Sequence, residues 1–205
     1  MTHNLHHDAT LIWHDSTSLG GAEAVILPGG FAYGDYLRCG AIAKFSPVMG
    51  AVKKFAQAGG LVLGICNGFQ VLTEAGLLPG ALVRNSHLKF VCRTVGLEVA
   101  TIDSPFTHSV HRGQTLRLPV AHGEGCYIAG ETVLDQLEAE DRIVLRYTEN
   151  PNGSMRNIAG ILNSGRNVMG MMPHPERMAD PLMGGVDGLA ILNSLATAGV
   201  TALQA

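Results

Sequence analysis

One cysteine of the chain stands between two glycines, in the run Gly64-Ile65-Cys66-Asn67-Gly68. An apolar stretch precedes the run at 61–63, and a helix-like pattern follows it at 69–75. This order predicts a strand, a sharp turn and a helix, because glycines permit the backbone angles that such a turn requires. Cys66 would then lie at a helix N-terminus, where the helix dipole favours the nucleophilic thiolate over the thiol. The alternative is a cysteine that serves only as a small apolar core residue.

The acid–base groups that a thiolate nucleophile needs occur together downstream, in Pro173-His174-Pro175-Glu176. In acyl transfer a histidine moves the proton and an acid orients the histidine. The segment follows an apolar run at 168–172 that is typical of a strand, and its first proline would end that strand. Because open α/β sheets place their sites at the carboxyl ends of the strands, we expect this pair to lie near Cys66. The alternative is an ordinary loop histidine.

Two glycines follow the apolar, strand-like segment Ala24–Leu27, at Gly29 and Gly30. Glycines just beyond a buried strand allow backbone N–H groups to turn toward a ligand, and such groups can bind the negative oxygen that forms in acyl transfer. The sequence therefore predicts an oxyanion hole made of the backbone at Gly30, Phe31 and Asn67, the residue after the cysteine. A glycine pair at this position is otherwise only a turn.

Strand and helix patterns alternate in the first third of the chain. Ala9–Trp13 and Ala24–Leu27 have the composition of short buried strands, and Ser46-Pro47 is a start signal for a helix that continues to Ala58. Antiparallel strands are expected next, in the Val-, Leu- and Thr-rich segments 81–100 and 115–129. The predicted fold class is therefore α/β, with an open, mostly parallel sheet flanked by helices and an antiparallel extension.

The rest of the chain predicts a short helix, a strand, a hairpin and a closing helix: Thr132–Glu140, Ile143–Tyr147, Ile158–Leu162 with Asn167–Met172, and Gly188–Ala198. No repeat, linker or low-complexity tract divides the sequence. Residues 1–205 are therefore expected to form a single domain with a full hydrophobic core.

Composition and charge exclude several classes of protein. A hydrophobic content of 46% with 15% charged residues is typical of a compact globular chain. The formal charge is −3 and no basic stripe occurs, so no nucleic-acid partner is expected, and the apolar runs are too short to span a membrane.

The cysteines and histidines indicate neither a metal site nor a secreted protein. The four cysteines show no C-x-x-C spacing, and histidines 3, 6 and 7 form a terminal cluster of a kind that is usually incidental, so no metal is expected. A reactive thiol needs a reducing compartment, and the first residues contain no apolar signal-peptide core, so we expect a cytoplasmic location.

In chain order, these pieces resemble the class I (triad) glutamine amidotransferases. The segments that match are Gly29-Gly30, Gly64-Ile65-Cys66-Asn67-Gly68-Phe69-Gln70 and Pro173-His174-Pro175-Glu176. Three further stretches are similar to the branch of the family that serves purine biosynthesis: 29–43, 85–93 and 122–125. Together the likeness extends from about Ala9 to the C-terminus.

The resemblance implies a glutaminase that hydrolyses glutamine to glutamate and ammonia. Cys66 would attack the side-chain amide, His174 would shuttle the proton, and Glu176 would orient His174. The residues implied in binding glutamine are Gln70, Phe90, His122 and Gly123.

The resemblance also implies partners. The ammonia would pass to an ATP-dependent synthetase subunit, in a complex that includes a small accessory subunit. ATP and Mg²⁺ are expected on the synthetase partner and no cofactor on this chain, which has no G-x-x-x-x-G-K-[ST] loop.

One departure from the family concerns the start of the chain. Members of the family open with a strand, a Pro-Gly turn and a first helix, whereas Ala9–Trp13 is similar to their second strand. The family's first strand and most of its first helix are therefore expected to be absent from this sequence, with Met1–Asp8 as the end of that helix.

Two other functions are consistent with the sequence. Another cysteine hydrolase on an α/β sheet, such as the dienelactone hydrolase type, shares the G-x-C-x-G pattern but carries its acid well upstream of its histidine. A non-catalytic regulatory subunit could retain the same fold, although the presence of Cys66, His174 and Glu176 argues against it.

Overall fold

A computed structural model of the chain describes residues 5–31 and 40–202. Within these ranges there are four α-helices: Pro47–Gln57 (α1), Asn67–Glu74 (α2), Glu131–Ala139 (α3) and Gly188–Ala202 (α4). The same ranges contain nine strands: Ala24–Leu27 (β1), Leu61–Ile65 (β2), Ala81–Val83 (β3), Val91–Val99 (β4), Thr115–His122 (β5), Cys126–Ile128 (β6), Ile143–Tyr147 (β7), Ile158–Leu162 (β8) and Val168–Met171 (β9). No helix in this part of the chain is long and apolar enough to cross a bilayer.

Seven of these strands form one sheet in the order β1-β2-β9-β8-β7-β4-β5, while β3 and β6 pair separately. Strands β1, β2 and β9 are parallel, and the other four pairings of the large sheet are antiparallel. The predicted α/β sheet with helices and an antiparallel extension is confirmed. The extension is larger than we expected, since the parallel part is limited to the three strands around Cys66.

The centre of the parallel part is buried on both faces. Every residue of β2 and of β9 is buried, as is usual for parallel strands that are covered by helices on each side. Gly170 in β9 leaves room for the ring of Phe69 on α2, because a Cβ at this position would overlap that ring. The helix that follows Cys66 therefore packs directly onto the sheet.

Two glycines bring α2 close to the strands. A Cβ on Gly68 would overlap the carbonyl oxygen of Leu27 in β1, and a Cβ on Gly64 would lie 2.8 Å from the carbonyl group of Gly68. Any side chain at either position would push the helix away from the sheet. The G-x-C-x-G pattern thus sets the distance between α2 and the strands, and with it the position of Cys66.

The predicted strand at Ala9–Trp13 is wrong. This segment has no strand structure, and Leu11 and Trp13 are 101% and 72% exposed. A strand needs a neighbour for its backbone hydrogen bonds; in the described part of the chain β1 pairs only with β2. The carbonyl of the following residue, His14, instead accepts a hydrogen bond from the Val48 amide at 3.1 Å. Of the family-like stretch 29–43, residues 32–39 lie outside the described ranges.

We expect Gly68→Ala to lower the free energy of unfolding by roughly 1–3 kcal/mol, because the added methyl group collides with a backbone oxygen that cannot move aside. Gly50→Ala is the matched control, since Gly50 lies within α1 and a Cβ there meets no atom within 4 Å. That substitution should be neutral or stabilising by about 0.5–1 kcal/mol. Urea unfolding of both variants measures the difference, and equal stabilities would contradict the packing described above.

Candidate active site

Cys66 lies at the junction of β2 and α2 with backbone angles of φ 51° and ψ −105°. This region is unfavourable for a residue with a side chain, so the surrounding structure must hold it. The Cys66 amide donates to the carbonyl of Met171 at 2.8 Å, and its own carbonyl accepts from the amide of Gln70 at 3.2 Å. The predicted sharp turn is therefore present, tied to β9 on one side and to α2 on the other.

His174 and Glu176 form a close pair just beyond β9. The His174 side chain is 2% exposed, and its Nδ1 lies 2.6 Å from Oε1 of Glu176, which is about half exposed. When the carboxylate is ionised it can only accept, so Nδ1 carries the proton and Nε2 keeps a free lone pair. Among the described residues that buried Nε2 has no hydrogen-bond partner. A buried nitrogen in this state is suited to exchange protons with a reacting group.

The surroundings of Gly29 show that the histidine and the cysteine lie close together. A Cβ on Gly29 would lie 2.6 Å from Cε1 of His174 and 3.4 Å from Cβ of Cys66. Both side chains therefore border the same Cα atom, although 108 positions separate them in the sequence. A side chain at Gly29 would displace the imidazole, so this position has to be a glycine for the pair to form.

A cavity of about 220 Å³ opens beside Cys66. Gly30 and Phe31 line it, and Asn67, the first residue of α2, follows the cysteine. The amide of a first helical residue has no acceptor within its own helix. The oxyanion hole at these three positions is compatible with this arrangement and stays a prediction.

The residues expected to bind glutamine line the same cavity: Gln70, Phe90, His122 and Gly123. Phe90 is 54% exposed and its ring lies 6.5 Å from that of Phe31, so the two rings form part of the cavity mouth. Arg84 and Glu124 also line the cavity. Groups of opposite charge at one cavity suit a ligand that carries both a carboxylate and an ammonium group.

Gln70 is bound to the protein at both ends of its amide. Its Nε2 donates to the carbonyl of Glu124 at 2.6 Å, and its Oε1 accepts from Nδ2 of Asn67 at 2.9 Å. Gln70 therefore fastens the loop at 122–125 to the helix that carries Cys66. This role in placing the cavity wall was not evident from the sequence.

His122 is a buried, neutral histidine. It is 2% exposed, and its pKa is lowered to about 4, first by burial and second by the positive charge that His174 can carry. One ring nitrogen, Nδ1, lies 3.1 Å from Oδ1 of Asn85. Because that oxygen can only accept, His122 donates through Nδ1.

Sequence reasoning missed Asn85 and the structural role of Gly29. Asn85 begins a stretch that resembles the purine branch of the family, but nothing in its neighbours indicates that its side chain would be completely buried. Gly29 was predicted only as one of two glycines beyond a strand that let backbone amides turn toward a ligand. Each role depends on residues that are distant in the sequence, so no local signal reveals it.

Comparison with known proteins identifies the family of the chain. Residues 3–186 match the CobB/CobQ-like glutamine amidotransferase domain. The chain belongs to this amidotransferase family.

Within the family, the chain is similar to phosphoribosylformylglycinamidine synthase subunits named PurQ. It is 57% identical over 194 residues to the one from Gloeobacter violaceus, and 59% identical over 184 residues to the one from Rubrobacter xylanophilus. Each match covers 90% of this chain and 84% of the relative. Among solved structures, PurLQS from Thermotoga maritima matches with a TM-score of 0.81 and 46% identity, over 87% of this chain and 81% of that one.

In this amidotransferase we expect Glu176→Gln to lower kcat less than His174→Ala does. The amide still holds the ring through a hydrogen bond but no longer stabilises the imidazolium charge, whereas alanine removes the proton carrier itself. The loss for His174→Ala should be about 10²–10⁴-fold. Steady-state glutaminase kinetics measure both, with the exposed Glu149→Gln as the control for loss of one negative charge. Equal and complete losses in two folded variants would show a more direct role for Glu176.

The buried state of His122 predicts a pH dependence of stability. Between pH 6.5 and about 4, the unfolded chain binds a proton at this residue and the folded chain does not, so stability falls as the pH drops through this range. The loss should reach about 3 kcal/mol, from 1.36 kcal/mol for each unit of pKa difference. Denaturant unfolding of wild type and His122→Gln between pH 7 and pH 4 isolates this contribution. The exposed His111→Gln is the control, and parallel curves for wild type and His122→Gln would contradict the prediction.

Proposed function

We propose that this chain is the glutaminase subunit of phosphoribosylformylglycinamidine synthase. One observation carries the proposal: the buried His174, paired with Glu176 through Nδ1, borders the same glycine as Cys66 at a cavity lined by the expected residues. The PurQ relatives match this chain over 84% of their own length, with 57% and 59% identity. The substrate is glutamine, and the products are glutamate and ammonia.

The arrangement supports a two-step reaction. The Cys66 thiol gives its proton to Nε2 of His174, and the resulting thiolate attacks the side-chain carbonyl carbon of glutamine. Backbone amides at Gly30, Phe31 and Asn67 bind the negative oxygen that forms. His174 donates its Nε2 proton to the departing nitrogen, which leaves as ammonia, and a glutamyl thioester remains on the sulfur. His174 then takes a proton from water, the resulting hydroxide attacks the thioester, and glutamate leaves the regenerated thiolate.

Glu176 contributes through the histidine rather than by touching the substrate. Its carboxylate fixes the tautomer and orientation of the ring by the 2.6 Å contact to Nδ1, and it stabilises the positive imidazolium. Gln70 places the wall of the cavity through Glu124, while Phe90, His122 and Gly123 enclose the substrate.

The ammonia passes to a synthetase subunit, in a complex that also contains a small accessory subunit. The matched PurLQS structure supports this assignment of partners. ATP and Mg²⁺ bind the synthetase, which converts the formylglycinamide ribonucleotide to its amidine. We place the complex in the cytoplasm, where the thiols of Cys66, Cys92 and Cys126 would stay reduced.

The geometry weighs against both alternative functions. A hydrolase of the dienelactone type takes its acid from upstream of the histidine, whereas here Glu176, two residues downstream, contacts the ring. A non-catalytic subunit has no need of a strained cysteine beside a buried histidine with a free Nε2. A glutaminase assay with and without the synthetase partner separates all three functions.

We expect Cys66→Ala to abolish glutamine-dependent synthesis in the reconstituted complex while ammonia-dependent synthesis continues. The sulfur takes part only in amide hydrolysis, so supplying ammonia directly should bypass its loss. The readout is amidine formation with glutamine or with an ammonium salt as the nitrogen source.

Cys92→Ala is the matched control, because Cys92 is exposed and outside the cavity. It should retain both activities. Substantial glutaminase turnover by Cys66→Ala would show that another residue is the nucleophile.

A further inference from the structure

The loop at 122–125 forms one wall of the cavity. His122, Gly123 and Glu124 line the space next to Cys66. From the side of α2, the loop is held by the hydrogen bond from Gln70 to the Glu124 carbonyl. Its shape therefore determines the outline of the space in which glutamine is expected to bind.

Asn85 holds this loop from the opposite side. The residue is completely buried, and its backbone amide donates to the carbonyl of Gly123 at 2.9 Å. Its side-chain Nδ2 donates to the carbonyl of His122 at 3.0 Å, and its Oδ1 accepts from the amide of Gly125 at 3.0 Å and from Nδ1 of His122 at 3.1 Å. Backbone and side-chain groups of the loop are thus fixed by one residue.

The same side chain also binds the segment that carries Phe90, which forms a second wall of the cavity. Its Nδ2 donates to the carbonyl of Lys89 at 2.9 Å, one residue before Phe90. A Cβ on Gly123 would lie 3.7 Å from the Phe90 ring, so the two walls lie side by side at this point. Asn85 therefore joins the loop at 122–125 to the segment that carries the aromatic mouth.

The amide of Asn85 can take only one orientation. Two carbonyl oxygens face its nitrogen, and an N–H group with a ring nitrogen faces its oxygen. The oxygen can only accept, so His122 is held as the tautomer with the proton on Nδ1. On the other side of the ring, Nδ2 of Asn152 lies 3.5 Å from Nε2 and donates to the Gly125 carbonyl at 2.8 Å.

We propose that Asn85 is a positioning residue for glutamine binding, which sets the shape of the cavity by fixing the loop at 122–125 and the segment before Phe90 together. This inference rests on the proposed glutaminase function. Asn85 does not belong to the cavity lining. Its effect on the reaction is therefore exerted through the backbone and through His122.

The test compares Asn85→Ala with Asn167→Ala in the reconstituted complex. Asn167 is also a buried asparagine, whose Nδ2 donates to the carbonyls of Ala56 and Gly60, but it precedes β9 at the end of the sheet away from His174. Both variants lose buried hydrogen bonds. We expect Asn85→Ala to raise the KM for glutamine about tenfold with a smaller change in kcat, and Asn167→Ala to lower only the melting temperature.

A second readout does not depend on turnover. Cys66 is alkylated either by a diazoketone analogue of glutamine, which needs the shaped cavity, or by iodoacetamide, which needs only an accessible thiol. Asn85→Ala should slow labelling by the analogue about tenfold and leave labelling by iodoacetamide unchanged. If Asn85 had a purely structural role, the rate of labelling by the analogue relative to that by iodoacetamide would not change.

The outcomes separate this inference from the proposed function. Suppose that the wild-type complex has glutaminase activity, and that Asn85→Ala and Asn167→Ala show the same KM for glutamine and the same ratio of labelling by the analogue to labelling by iodoacetamide. That result would overturn the role of Asn85. A wild-type complex without glutaminase activity would overturn the proposed function, and the labelling comparison would then still decide the role of Asn85. If Asn85→Ala does not fold, Asn85→Asp replaces it, since it keeps the size and the accepting oxygen but loses both donated bonds; the same rise in KM is expected.

Discussion

The close approach of α2 to the parallel strands is the constraint on which the site depends. Gly68 lies against the Leu27 carbonyl, and Gly64 lies against Gly68, so neither position has room for a side chain. This approach forces the chain to turn within one residue, and that residue is Cys66, at φ 51°. The strain is held by the backbone bonds to Met171 and from Gln70. The position of the sulfur is thus a property of the sheet and the helix rather than of a flexible loop.

The second requirement is a buried histidine that keeps one nitrogen free. An unsatisfied buried polar atom costs about 1–3 kcal/mol, and a hydrogen bond to a charged group contributes about 1.5–3 kcal/mol. The bond from His174 to Glu176 offsets the cost of leaving Nε2 without a partner. His122 also favours the proton transfer at His174, because its ring stays neutral at physiological pH and does not place a second positive charge near His174. The amide of Asn85 contributes to this state by fixing the tautomer.

The sequence predicted the parts of the site that depend on local pattern. Glycines around Cys66 indicate the turn, and prolines around His174 indicate the end of a strand. The misjudged strand at Ala9–Trp13 illustrates the limit: apolar composition favours a strand, but a strand forms only where a neighbour supplies hydrogen bonds. The share of parallel pairing was overestimated because β7, β4 and β5 join the sheet by antiparallel contacts between distant segments. The role of Asn85 was not predicted for the same reason, because its hydrogen-bond partners lie in two separate segments that meet only in the folded protein.

The central claim is that the strained cysteine forms a covalent bond with the substrate. Acid quenching of the reconstituted complex during turnover with glutamine, followed by peptide mass spectrometry, tests this most directly. A glutamyl adduct on the peptide that contains Cys66 is the predicted result. Continued release of ammonia with no adduct, or with the adduct on Cys92 or Cys126, would contradict the account.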